Sequence, residues 1–309
     1  MTYQDPKAAP IPGKAQGAVP PKPTPPARPA PPTMVQRKTV TATAGMLKFL
    51  RFGKKLILYG KPGCGKTTTV LALLKAGHTV VYIDIDGNVE PFSNLTPEES
   101  SRLILLPMRD TPQSGNMIKG LDKLGDKGIF EVCQDHAEHE CPRCKKDSEA
   151  TWLTYNFYTD LPKGAIVVLD SYTQVHDGVI NAVYKEHKLS DFDKMEIPNH
   201  GAVSRLDKVM FQFFLRSYFD CLVITHAASS KGIMDGKDAK DSWYPVMGSL
   251  RTTQTSMKSA TVVAMTKWDK PIVCETTIQD PYEVVLHQPL ETVKGKKPAD
   301  FVVQYFAKS

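Results

Sequence analysis

The stretch YGKPGCGKTTT, residues 59 to 69, constrains this chain more than any other part of it. Gly60, Gly65, Lys66 and Thr67 fill the spacing G-x-x-x-x-G-K-[ST], and both flanks suit that pattern. Upstream, KLILY is a short apolar run of the kind that forms a buried parallel strand. Downstream, KTTTVLALLKAG carries helical spacing and ends on a glycine stop. A strand, a glycine turn and a helix in that order can wrap a polyphosphate. The glycines let backbone N–H groups approach the phosphates, and the helix N-terminus adds a favourable dipole. Residues Gly60, Lys61, Pro62, Gly63, Cys64, Gly65, Lys66, Thr67 and Thr68 are therefore the expected cradle. Lys66 reaches the terminal phosphates in this reading, and the Thr67 hydroxyl ligates Mg²⁺. ATP and Mg²⁺ are the cofactors it implies.

A chain of 309 residues with 41% hydrophobic content can bury one sizeable core. No apolar run approaches the length of a membrane span, and the N-terminus lacks the apolar segment of a signal peptide. The expected setting is cytoplasmic, with no membrane partner. Cys64, Cys221 and Cys274 are scattered and read as small core hydrophobes. The net charge of +6 is unevenly spread: up to Lys55 there are ten basic residues against Asp5 alone, while the remainder is slightly acidic. A basic arm on a near-neutral body suits a polyanion such as nucleic acid, or is a solvated tail.

Residues 1–36, dominated by proline, alanine and lysine, cannot bury a core and read as a disordered, partly polyproline-II tail that recruits a partner or tethers the body. Residues 37–309 read as one domain. Strands are expected at 55–59, 79–84, 103–106, 165–170 and 221–225. Helices are expected at 66–75, near 112–124, from Tyr172, and in GAVSRLDKVMFQFFLRSYF, where Val203, Leu206, Val209, Met210, Phe213 and Phe214 recur at helical spacing. Such alternation predicts an α/β fold with a mostly parallel central sheet flanked by helices. The segments ATVVAMTK, PIVCET and YEVVLH read as short strands forming an antiparallel edge.

Hydrolysis needs a carboxylate near the metal and a group that orients water. In AIVVLDS, Asp170 ends an apolar strand, where the open edge of a parallel sheet gathers ligand-binding residues. It can support Mg²⁺ there, or simply cap the following helix. The segment VVYIDIDGNVEPF resembles the one after the second core strand of RecA-type recombinases. That resemblance puts Asp86 in the place of the family's water-activating glutamate, one methylene shorter; turn carboxylates capping a local helix are the alternative. In CLVITHAA, His226 stands where the family has a polar residue that senses the terminal phosphate. The next loop, ASSKGIMDGKDAKDSWYPVMG, matches the DNA-contacting loop in position. Lys231, Lys237 and Lys240 are candidate phosphate contacts, and Trp243 or Tyr244 can stack on bases, although Asp235, Asp238 and Asp241 lie among them.

As an ordered set of motifs over roughly 40–290, the chain resembles compact RecA-like, AAA-type P-loop proteins of bacteriophages, some of which resemble single-strand annealing proteins. The resemblance implies a Mg²⁺-dependent ATPase acting on single-stranded DNA in recombination or replication. Its expected catalytic set is Lys66, Asp86, Asp170 and His226. It further implies homo-oligomers, ring or filament, whose sites are completed across subunits; Arg251 or Lys258 is a candidate for that contribution. The alternative is a nucleotide-dependent binding module, a loader or annealing protein, that barely hydrolyses.

The resemblance leaves CQDHAEHECPRCKKD unexplained. Cys141 and Cys144 form a C-x-x-C knuckle of the kind that clips Zn²⁺, and Cys133 with a histidine completes four ligands. His136 is the preferred histidine, with His139 as substitute. Four protein ligands close the coordination sphere, so this zinc is expected to staple a small insertion at 130–150 rather than to catalyse.

Overall fold

The computed structural model describes residues 53–110, 115–189, 197–230, 233–234, 237–238, 242–246, 262–267, 273–275 and 296–307. The proline-rich tail, the beginning of the domain before residue 53 and the YEVVLH segment lie outside the described residues.

The elements follow in chain order: β1 (Lys55–Gly60), α1 (Thr68–Lys75), β2 (Val80–Asp84), a 3-10 turn (Glu90–Phe92), α2 (Pro97–Ser101), β3 (Leu103–Pro107), α3 (Asn116–Lys127) and β4 (Ile129–Cys133). A second 3-10 turn (Cys144–Lys146) precedes β5 (Trp152–Asn156), β6 (Ile166–Asp170), α4 (Tyr172–Glu186), α5 (Ile197–Arg216) and β7 (Asp220–Ser230). The short strands β8 (Ile233–Met234), β9 (Lys237–Asp238), β10 (Ser242–Pro245), β11 (Val262–Lys267) and β12 (Val273–Glu275) lead to α6 (Pro298–Phe306).

The main sheet runs β12-β11-β1-β7-β6-β2-β3, with β10 paired to β7. From β11 to β3 every neighbour is parallel; β12 and β10 pair antiparallel. The central strands KLILYG, IVVLD and VVYID are buried along their whole length, as a parallel sheet covered on both faces requires. Alternation along each strand then divides the core in two. Ile57, Val81, Val167 and Val223 face one way, toward Met117 and Leu121 of α3, Val175 and Val179 of α4 and Phe211 and Phe214 of α5. Leu56, Tyr82, Val168 and Leu222 face the other, toward α1 and α6. The result is three layers.

Two sequence expectations change. The ATVVAMTK strand is not antiparallel: β11 runs parallel to β1 with Leu56 opposite Val262, and the return comes only at β12. Fully buried β1 has backbone donors and acceptors on both edges to satisfy, and β7 and β11 take one edge each. The stretch following His226 is not wholly loop, because β7 continues to Ser230 and pairs with β10.

The C-terminal α6, absent from the sequence reading, buries Phe301, Val302, Tyr305 and Phe306 against Val70, Leu73 and Leu74 of α1. Two lysines counted with the basic arm belong to this body. The Lys54 ammonium donates to the carbonyls of Tyr305 (2.9 Å) and Ala307 (3.0 Å), where the helix dipole favours a cation. Lys55, almost fully buried, donates to the Phe219 carbonyl and the Ser217 hydroxyl, and burial holds its pKa below the ordinary lysine range. No helix among the described residues is long and apolar enough to cross a membrane.

Candidate functional site

Strand β1 delivers the chain into the phosphate-loop motif at Gly60, and α1 leaves it at Thr68. Between them Gly63 and Gly65 both have φ of 77°, a left-handed conformation that a side chain disfavours. Lys61, Pro62, Gly63 and Thr68 are exposed, whereas Cys64 and Lys66 are buried. The Lys66 ammonium spans the loop, donating to the carbonyls of Gly60 (3.0 Å) and Lys61 (2.9 Å), and burial lowers its pKa. The Cys64 thiol also donates to the Lys61 carbonyl, at 2.7 Å.

Register brings the carboxylates to this loop. Gly60 stands opposite His226 across β1 and β7, and Asp170 stands opposite Asp84 across β6 and β2. All four therefore lie at the carboxyl edge of the sheet, where open α/β folds bind ligands. Asp170 is only 2% exposed, and its Oδ2 accepts from the Thr67 hydroxyl and from the Tyr82 hydroxyl, each at 2.7 Å. Burial raises the Asp170 pKa in spite of both donors. A hydroxyl and a carboxylate in contact beside a phosphate loop are the donor set that holds a hydrated Mg²⁺.

Asp86 hangs from the same strand end. The Ile85 and Asp86 N–H groups donate to the Asp170 carbonyl (2.7 and 3.2 Å), and the Ser171 hydroxyl donates to Asp86 Oδ1 at 2.6 Å. His226 Nε2 lies 3.7 Å from Asp86 Oδ2. Burial would raise the Asp86 pKa, but the hydrogen bonds from His226 and Ser171 outweigh it and hold it below the usual carboxylate range. The His226 N–H donates to the Thr173 hydroxyl oxygen (2.9 Å), and its carbonyl accepts from the Val246 N–H (2.9 Å). The Thr225 hydroxyl donates to the Val246 carbonyl at 2.6 Å. The histidine is thus anchored to the start of α4 and to the residue that follows β10.

The sequence reading missed Tyr82 and Ser171. Tyr82 carried a usable signal: a tyrosine inside an otherwise aliphatic buried strand needs a partner for its hydroxyl. It also missed the clamp on Asp84. That carboxylate, fully buried, pairs with the Arg109 guanidinium and accepts from the Gly87 N–H at 2.9 Å.

The cysteine and histidine residues gather on a separate hairpin, where β4 and β5 pair antiparallel between α3 and β6. Ligand atoms of Cys133, His136, Cys141 and Cys144 all lie within 4.8 Å of one another. His136 Nδ1 is 3.8, 3.6 and 3.2 Å from the sulfurs of Cys133, Cys141 and Cys144. Tetrahedral zinc with ordinary Zn–S and Zn–N bonds places such atoms about 3.6 Å apart, so the group fits that ion. His139 is turned elsewhere, its Nδ1–H donating to the Glu131 carbonyl at 2.8 Å.

Of the candidate nucleic-acid residues, Lys237 lies in β9 and Trp243 and Tyr244 in β10, with Trp243 opposite Ser229 and Tyr244 opposite Ala228 of β7. Lys231 and Lys240 lie outside the described residues, as do Arg251 and Lys258.

No family model matches the chain, and no curated protein does. Among solved structures it is similar to the RadB recombinase, at 19% identity and a TM-score of 0.32, over 74% of this chain and 86% of that one. A likeness that loose carries no argument, and the functional reading rests on the chain's own geometry.

Proposed function

We propose that this chain is a RecA-like, Mg²⁺-dependent ATPase that acts on single-stranded DNA as a homo-oligomer, of the kind bacteriophages use in recombination or replication. One observation carries the reading: Lys66, Thr67, Asp170, Asp86 and His226 arrive from four different elements at one edge of the sheet, in contact or nearly so. Phosphoryl transfer is mostly positioning and charge stabilisation, and each requirement has a residue. The loop N–H groups and Lys66 hold the phosphates. Thr67 and Asp170 would hold Mg²⁺, which would supply charge neutralisation to the bound phosphates. Asp86, kept ionised by its donors, accepts a proton from water, and His226 reads the γ-phosphate. From His226 the hydrogen bonds to Val246 lead to the β7–β10 hairpin, the expected DNA-contacting segment. Zinc in the Cys3His group stabilises the hairpin insertion. The proline-rich tail and the residues of neighbouring subunits complete the account as partner contacts.

ATP turnover with Mg²⁺, measured with and without single-stranded DNA beside Lys66→Ala, tests it. The expected result is turnover stimulated by DNA and reduced by at least about a hundredfold in the variant. A specific observation favours a second reading, a binding module with slow hydrolysis: both Asp86 oxygens face donors and its pKa is depressed, which weakens it as a base. A low rate indifferent to DNA selects that reading.

A further inference from the structure

The cysteine–histidine hairpin is joined to the catalytic turn by an unbroken set of contacts that a mere staple does not need. Arg109 bridges them. Its backbone N–H donates to the Ala137 carbonyl at 2.8 Å, and it forms an isolated parallel bridge with Glu138. Both residues lie in the short loop between the ligands His136 and Cys141. That loop is drawn tight by Ala137 N–H to the Cys133 carbonyl (2.9 Å) and Cys133 N–H to the Glu138 carbonyl (3.0 Å). Ala137 and Glu140 take positive φ of 55° and 46° there, a conformation that non-glycine residues adopt only when held.

At its other end the Arg109 guanidinium binds the Asp84 carboxylate and donates to the Asp84 carbonyl at 2.7 Å. It lies beside Gly87, where an added Cβ would be in ordinary van der Waals contact with it at 3.5 Å. The other oxygen of Asp84 accepts from the Gly87 N–H. Asp84 and Gly87 thereby form the two feet of the turn that carries Asp86.

We propose that the Cys3His group is a control site: a thiophilic divalent cation, zinc, held by Cys133, His136, Cys141 and Cys144 fixes Arg109 and through it the Asp84–Gly87 turn, so that metal loss lowers ATP turnover. Arg109 is a positioning residue, since it touches Asp84 and not the nucleotide loop. The metal sets the 133–141 loop, the loop sets the Arg109 backbone, and the guanidinium sets Asp84. The turnover arm of this inference rests on the ATPase reading; the amide-exchange arm does not.

The experiment strips zinc from the full chain with a chelator and follows ATP turnover, KM and hydrogen exchange of peptides covering residues 84–87. Stripping is expected to lower kcat about tenfold with KM within about twofold, because a displaced catalytic group costs rate and not binding. Exchange at 84–87 rises while β1 and β6 stay protected, and added zinc restores both. In Arg109→Ala zinc still binds, but neither kcat nor exchange at 84–87 responds to its removal. Arg109→Lys, which keeps the charge without the forked contact, serves if the alanine variant does not fold, and it blunts the response. Stripping that leaves kcat and exchange unchanged overturns the proposal. So does stripping that unprotects β1 and β6 together with 84–87, which makes the metal a global staple. So does a full zinc response in the Arg109 variants. Should the zinc-loaded wild type hydrolyse no ATP, the ATPase reading fails by itself, and exchange at 84–87 still decides whether the metal holds the turn.

Discussion

Asp170 shows how much of a site is decided by side chains around a motif residue. Its carboxylate is buried, and burial alone would favour the protonated form, yet two hydroxyls donate to one of its oxygens. Tyr82→Phe removes one donor and keeps the ring; a stability loss of about 1 kcal/mol, read as a lower Tm, and weaker Mg²⁺-ATP binding are expected. A second polar pair lies behind the site, where His176 Nδ1 is 2.9 Å from an Asp207 carboxylate oxygen. Burial would lower the His176 pKa, but the Asp207 hydrogen bond and charge outweigh it, and the net direction is upward. A group raised in the folded state stabilises fully below its unfolded pKa of about 6.5 and ceases to do so as pH climbs through the folded value. Thermal melts from about pH 6 upward should therefore show a decline in wild type that His176→Gln lacks. Lys66, Thr67 and Asp170 were legible in the sequence because each ends or begins an element whose apolar pattern is plain. Tyr82, Ser171 and Arg109 were not, because strand register and not sequence spacing brings them to the carboxylates.

Among the elements, the central strands were readable since full burial writes a continuous apolar run. Direction is not written in such a run, so the apolar pattern of β11 does not distinguish an antiparallel edge from the parallel pairing it makes with β1. Helix α6 is short, and the nine residues PADFVVQYF carry too few turns to mark a helix by periodicity; packing on Val70, Leu73 and Leu74 of α1 fixes it. Its importance is energetic. Phe301 is 3% exposed, and Phe301→Ala should destabilise the domain by about 3 kcal/mol, measured by denaturant unfolding. The β4–β5 hairpin was visible only through its cysteines, which named the metal chemistry but not the choice between His136 and His139. The fold gathers His136 Nδ1, and not His139, with the three sulfurs.

For the whole molecule, the sheet order places the strand of His226 between the phosphate-loop strand and the strand of Asp170. In the proposed reading, a change at the γ-phosphate would reach first a histidine whose backbone continues into the β7–β10 hairpin. That continuity is the structural content of the proposed DNA-coupled ATPase, in which the hairpin is the DNA-contacting surface. The claim turns on Asp86 acting as the base. The most direct measurement is ATP turnover by wild type and Asp86→Asn under identical Mg²⁺ conditions, with ATP affinity measured on both. The account predicts affinities within about threefold and turnover lower by about a hundredfold or more in the variant. Equal turnover in the two proteins would contradict it and leave a nucleotide-binding module whose hydrolysis, if any, runs without Asp86.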